Sequence, residues 1–203
     1  TNGVIAITVR EGDELLDAVM TNGNSEILLA GRHGRCCRFD ERDARALGRT
    51  ASGVRGINID DDDEVIGMIA YDPTAEDAQA HSLLVVSENG YGKRSDFEEY
   101  RKTNRGGKGV KTLNITDKTG ALVAMKNVTD ENDLMIINRS GITIRMAVSD
   151  IKVAGRATQG VRLINIKEGD SIAAISAVNK SEDDTLVQTD QQPAEQAPEQ
   201  NNE

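Results

Sequence analysis

Apolar residues in this chain come in short runs separated by glycine-bearing polar stretches, and their alternation follows the two-residue period of strands, not that of an amphipathic helix. Ile27–Ala30, Leu83–Val86 and Leu134–Ile137 each begin seven positions before a glycine, at Gly34, Gly90 and Gly141. A second glycine follows nineteen positions later, at Gly53, Gly109 and Gly160. Each is succeeded by a valine and by apolar residues three and five places beyond it: Val54, Ile57, Ile59; Val110, Leu113, Ile115; Val161, Ile164, Ile166. A headless copy opens the chain as Gly3, Val4, Ile7 and Val9. The second glycines at 3, 53, 109 and 160 give a period of about 50 residues, the mark of a propeller or similar repeat array.

Within a copy the pattern predicts four strands. In the first they are Ile27–Ala30, a basic strand through Arg38 and Phe39, Val54–Ile59, and, after the acidic turn Asp60–Glu64, Val65–Ala70. The headless copy predicts strands at Val4–Val9 and Leu15–Met20, ending at Asn22-Gly23, a pair suited to tight turns. Ser95–Tyr100 and Ala147–Ile151 have room for one helical turn at most. The resulting organisation is a remnant of a blade at 1–26, a blade at 27–72, a linker at 73–82, a blade at 83–129 and a last blade at 130–180. The fold class is all-β: a β-pinwheel, or propeller-like array, of four-stranded blades.

Composition changes this picture in two places. Trp is absent and aromatics are few, so the core falls to Val, Ile, Leu and Met. The formal charge of -10 argues against a nucleic-acid partner, yet it is unevenly spread. Residues 181–203 hold seven acids and no Lys or Arg, which leaves 27 acids against all 24 bases in residues 1–180. That final segment, poor in apolar residues, reads as a disordered acidic tail. Adjacent Cys36 and Cys37 point to opposite faces of a strand, which predicts two reduced thiols and neither a disulfide nor a metal site. No apolar run approaches a membrane span.

The basic residues of residues 1–180 fall into register. Four positions after the first glycine stand Arg38, Arg94 and Arg145; eight before the second stand Arg45, Arg101 and Lys152. Four before it stand Arg49, Arg105 and Arg156, and two after it Arg55, Lys111 and Arg162. Twelve of the 24 bases thus occupy four repeated columns, and in a ring of blades a column becomes a row along the rim. Such a row suits a phosphodiester backbone, followed without base readout and with strong salt dependence. Lys108, among Gly106, Gly107 and Gly109, adds a segment whose backbone can approach a phosphate closely. The competing reading pairs these arginines with nearby acids such as Asp40, Glu41, Glu98 and Asp150.

GRTASGVRGINI, TNRGGKGVKTLNI, GRATQGVRLINI and SENGYGKR, with the paired glycine spacing, closely resemble the C-terminal DNA-wrapping domain of bacterial DNA gyrase A over residues 1 to about 180. The resemblance implies about three and a half blades of a six-bladed pinwheel with duplex DNA bent around its positive rim. Lys93 and Lys108 join the twelve column residues as implied DNA contacts. Arg105-Gly106-Gly107-Lys108-Gly109 matches the second part of that family's signature box, whereas Thr103-Asn104 does not match its start. The implied partners are double-stranded DNA, the rest of the gyrase A protein and the gyrase B protein, without a membrane; ATP and Mg belong to the whole enzyme and no cofactor to this segment. A bacterial cytoplasmic, nucleoid-associated location follows from the same likeness. Two alternatives stay open: the corresponding domain of topoisomerase IV, and a protein-binding propeller of the WD40 kind, whose Trp-Asp signature is missing.

No catalytic or metal residues are expected. Tyr71, Tyr91 and Tyr100 read as packing or surface residues, His33 and His81 as surface residues, and Asp60–Glu64 as a solvated turn without calcium-ligand spacing.

Overall fold

The computed structural model of the chain describes residues 3–180, so the acidic-tail reading lies outside the described residues. Strands β1 (Glu26–Gly31), β2 (Arg35–Asp40) and β3 (Val65–Tyr71) belong to the first copy. The second copy supplies β4 (Ser82–Ser87), β5 (Tyr91–Ser95), β6 (Val110–Lys111) and β7 (Leu122–Val128). The third supplies β8 (Asn132–Asn138), β9 (Thr143–Ala147), β10 (Val161–Arg162) and β11 (Ile172–Asn179). The predicted single turns are present as 3-10 turns at Phe97–Glu99 and Val148–Asp150.

The sheets do not coincide with the copies. Their strand orders are β3-β1-β2-β6, β10-β5-β4-β7 and β11-β8-β9, all paired antiparallel. The outermost strand of the first sheet therefore comes from the second copy, and that of the second sheet from the third. The segment expected to be a strand of its own blade crosses instead to the preceding one, where Arg35 pairs with Lys111 and Tyr91 with Arg162.

This exchange explains the glycine pairs. A Cβ on Gly109 would overlap the Cys36 carbonyl, and one on Gly160 the Gly92 carbonyl, because these glycines lie directly against the preceding copy. Both have positive φ, 68° and 74°, conformations that other residues resist. Around Gly53 and Gly141 the corresponding space is open.

The expected strands at Val4–Val9 and Leu15–Met20 are not formed, and Val4, Leu15 and Met20 are exposed. Val4 and Ile5 occupy the positions of β6 and β10, whose partner is the second strand of a preceding copy. Among the described residues no such strand stands beside them, and a strand needs a neighbour to pair with. Residues 54–59 form no strand either.

Each sheet buries both faces where it is stacked, which is why the central strands read as unbroken apolar runs. Leu28, Ala30 and Cys36 of the first sheet meet Leu83, Val85, Leu122 and Met125 of the second. Leu84, Val86 and Val128 meet Leu134, Ile136 and Ile172 of the third. Cys37 points the other way, with Ile27, Phe39 and Ile57, so the two thiols occupy opposite faces as a strand requires. Both are free and buried, and burial raises the Cys36 thiol far above its ordinary pKa. Tyr71 and Tyr100 are core residues, Tyr71 stacked on Phe97 of the next copy at 3.9 Å.

Candidate nucleic-acid interface

The four basic columns separate in space. In the first two copies the column that follows the first glycine turns inward, while Arg145 of the third is exposed. Arg38 is 6% exposed, ion-paired to Glu26, and donates Nη1 to the carbonyls of Phe97 (2.5 Å) and Tyr100 (3.0 Å). Arg94, 7% exposed, pairs with Asp130 and donates Nε to the Ile151 carbonyl at 2.9 Å. Both guanidinium groups thus fasten one copy to the 3-10 turn of the next. Arg145 forms an ion pair with Asp133 at 2.7 Å. Lys93 is fully buried, its Nζ donating to the Gly155 carbonyl at 2.6 Å beneath the next copy's turn. Its pKa is lowered to about 8 by burial; the Glu99 carboxylate opposes that shift and the Arg156 cation adds to it. Arg38, Arg94 and Lys93 are therefore interior fasteners, out of reach of a DNA backbone. The pairing reading holds for this column, though the main partners are Glu26 and Asp130, with Glu98 secondary at 3.7 Å from Arg38.

The other three columns stay at the surface, on the turns that join successive copies. Arg45, Arg49, Arg101 and Lys152 are exposed and form no ion pair among the described residues. Arg105 and Arg156 are half-buried and each spans a junction: Arg105 donates Nη1 to the Arg55 carbonyl and Nε to the Asp43 carbonyl at 3.0 Å, and Arg156 donates Nη1 to the Lys111 carbonyl at 2.9 Å. Each arginine therefore ties its turn to the preceding copy with some of its five donors, leaving the rest for an anion. Arg55, Lys111 and Arg162 are exposed and each reaches an asparagine three residues on, Asn58 (3.4 Å), Asn114 (3.3 Å) and Asn165 (3.1 Å).

Between the first and second copies these groups converge on a concavity of about 460 Å³ lined by Arg35, Arg101, Arg105, Lys108, Gly107 and Gly109, with no acid in its wall. Arg35 was not among the column residues, since Tyr91 and Ile142 stand in its place in the other copies. Its Nε and Nη2 donate to the carbonyls of Lys108 and Gly109, both at 2.9 Å, and its strand partner is Lys111. Like charges facing across a strand pair repel. A bound anion would relieve that repulsion. The signal that could have found Arg35 is the strand exchange, which seats it beside the Lys108 turn. Lys102, by contrast, is bound to Asp40 (2.8 Å) and Glu26 (3.1 Å) and faces away from this role. At the next junction Tyr91 takes the Arg35 position, and its hydroxyl accepts from Arg162 Nη2 at 2.7 Å.

Four successive segments of the chain, residues 1–22, 25–72, 81–129 and 132–179, match the family described as DNA gyrase C-terminal domain, beta-propeller. The chain belongs to that family. Among relatives of this gyrase domain, the DNA gyrase A protein of Staphylococcus epidermidis is 46% identical over 182 residues, covering 90% of this chain and 20% of that protein. The DNA gyrase A protein of Staphylococcus aureus is 43% identical over 190 residues, covering 94% of this chain and 21% of that one. The chain thus spans about a fifth of the length of these relatives. A solved C-terminal domain of DNA topoisomerase IV superposes with a TM-score of 0.78 at 21% identity, over 86% of this chain and 53% of that one. A solved DNA gyrase A C-terminal domain gives 0.76 at 23% identity, over 86% and 58%. At such identities the structural likeness establishes the shared fold, while the sequence relatives favour gyrase over topoisomerase IV.

Among the described residues no helix is long and apolar enough to cross a membrane, and no group of three or more His, Cys, Asp or Glu is placed to hold a metal ion. His33 lies 3.9 Å from both Asp62 and Asp63, and His81 bonds Asn127 at 2.8 Å.

Proposed function

We propose that this chain binds the phosphate backbone of double-stranded DNA across the turns joining its copies, bending the duplex along the row of cations. The observation that carries the reading is the acid-free basic concavity, accompanied by exposed cations at the same repeat positions of the other copies. The contacts are Arg45, Arg49, Arg55, Arg101, Arg105, Lys108, Lys111, Lys152, Arg156 and Arg162, joined by Arg35. All are suited to phosphates, and binding through the backbone alone is nearly independent of sequence.

The chain acts as a non-catalytic part of gyrase A, together with the rest of that protein and with gyrase B, in the bacterial cytoplasm and on the nucleoid. Wrapping presents a DNA crossing of defined hand to the catalytic parts, where ATP and Mg supply strand passage with its energy, so that negative supercoils accumulate.

The test uses Arg55, Lys111 and Arg162, which unlike Arg105 and Arg156 hold no neighbouring backbone. Replacing all three with Gln should lower the magnitude of the log-affinity against log-salt slope by about 2.7, from about 0.9 per lost phosphate contact. An unchanged slope in a folded variant would defeat the assignment. In a plasmid relaxation assay the unaltered chain should trap writhe and the triple variant should trap less. A protein-binding scaffold would leave both readings flat.

A further inference from the structure

We infer that Asn58, Asn114 and Asn165 are positioning residues that aim Arg55, Lys111 and Arg162 at the DNA backbone while leaving their charge intact. The inference rests on the DNA reading above and names what sets the geometry of its outermost column.

The asparagine stands five places after the second glycine in all three full copies, and in each its Oδ1 accepts from the cation two places after that glycine, at 3.4, 3.3 and 3.1 Å. The base of the side chain is itself fixed. The Asn58 amide N–H donates to the Gly107 carbonyl at 2.9 Å and that of Asn114 to the Thr158 carbonyl at 3.1 Å, each across the junction to the next turn.

The headless copy supplies a comparison within the same molecule. There Thr8 holds the asparagine's place and makes the same backbone bond, to the Ala51 carbonyl at 3.1 Å. The cation's place is held by Ile5, and the Thr8 hydroxyl turns to the Thr50 carbonyl at 2.6 Å. The backbone bond therefore does not require asparagine. The amide side chain occurs where a cation needs a partner and is replaced where none is present.

The choice of a neutral acceptor has a physical reason. A free lysine or arginine side chain carries rotamer entropy that binding must remove. An amide oxygen restricts the side chain in advance without neutralising it. A carboxylate in the same place would restrict it further, but would compete with phosphate for the same cation.

Two substitutions separate these effects, read by salt titration of the full chain against linear duplex DNA. Asn114→Asp keeps the shape and should lower the slope magnitude by about 0.9, the loss of one phosphate contact. Asn114→Ala leaves Lys111 charged but unaimed, so the slope should stay while affinity falls about 2- to 10-fold. In a Lys111→Gln background both changes should have little further effect.

The inference is overturned if Asn114→Asp leaves the slope unchanged or if it acts equally without Lys111. If the unaltered chain shows no salt-dependent DNA binding, it is the DNA reading itself that fails. A fall in thermal stability with an unchanged slope would mark the asparagines as structural only.

Discussion

The junction between the first and second copies and that between the second and third share one backbone plan and spend their charges differently. Both exchange a two-residue strand, both seat a glycine against the preceding copy, and both place an arginine across the turn. At the first junction Cys37 lies beneath the turn and Arg35, Arg101, Arg105 and Lys108 gather at its surface. At the second, the cation Lys93 is beneath the turn, a tyrosine replaces Arg35, and the turn reads Arg-Ala-Thr-Gln-Gly in place of Arg-Gly-Gly-Lys-Gly. Repetition therefore preserves the coupling between copies, and the anion-binding strength of each junction is set by the few positions the coupling leaves free.

The largest expected contrast lies in the fasteners. Glu26, the partner of Arg38, has a side chain 9% exposed, whereas Asp130, the partner of Arg94, is 67% exposed. Arg38→Met would leave the buried Glu26 carboxylate with Lys102, at 3.1 Å, in place of two cations, and would forfeit the bonds to the Phe97 and Tyr100 carbonyls, an expected cost of about 2–3 kcal/mol. Arg94→Met returns Asp130 to water and forfeits hydrogen bonds worth about 1–2 kcal/mol. Urea denaturation of both variants checks this, and equal losses would show that the two junctions are held alike.

A smaller contrast follows from Lys93. Its folded pKa is lowered to about 8 from the ordinary 10.5. Between those values the unfolded chain holds a proton that the folded chain has released, so this group makes stability rise with pH from about 8 to 10.5. Below about 8 both states are protonated and the contribution is flat. The stability of the unaltered chain relative to Lys93→Met should rise across that window by less than about 1.4 kcal/mol per pH unit. A difference that is level or falling with pH would place the Lys93 ammonium in contact with water.

These contrasts bear on how much was legible from the residues alone. The central strands were, because Leu83–Val86 and its counterparts are apolar on both faces, and the single turns at Phe97 and Val148 were, because apolar anchors fix their place. The crossing of Val110–Lys111 and Val161–Arg162 to the preceding sheet was not, since a repeat period records spacing and is silent about which neighbour a strand joins. The misplacement of Arg38 and Arg94 has the same origin. A repeated arginine is equally the signature of a row of contacts and of a row of fasteners, and burial alone separates them. Arg35 was invisible to column reading because it occurs once. Its chemistry comes from Lys108 and Lys111, which lie more than 70 positions away in the chain.

The finest test exchanges the two positions that differ. Arg35→Tyr should convert the first junction toward the second, lowering the salt-slope magnitude by about 0.9. It also removes a cation facing Lys111, a relief of roughly 0.2–1 kcal/mol, and forfeits the two bonds to the Lys108 and Gly109 carbonyls, so the two effects offset and stability should change little. Tyr91→Arg should do the reverse. It sets a guanidinium opposite Arg162 and close to Lys118, whose Nζ lies 5.4 Å from the present ring, raising the slope at some cost in stability. Opposite movements of the slope in the two variants are what an anion-binding role for this position requires. If the slope stays where it is in both, the tyrosine is a packing residue and the charge of Arg35 has no part in distinguishing the junctions.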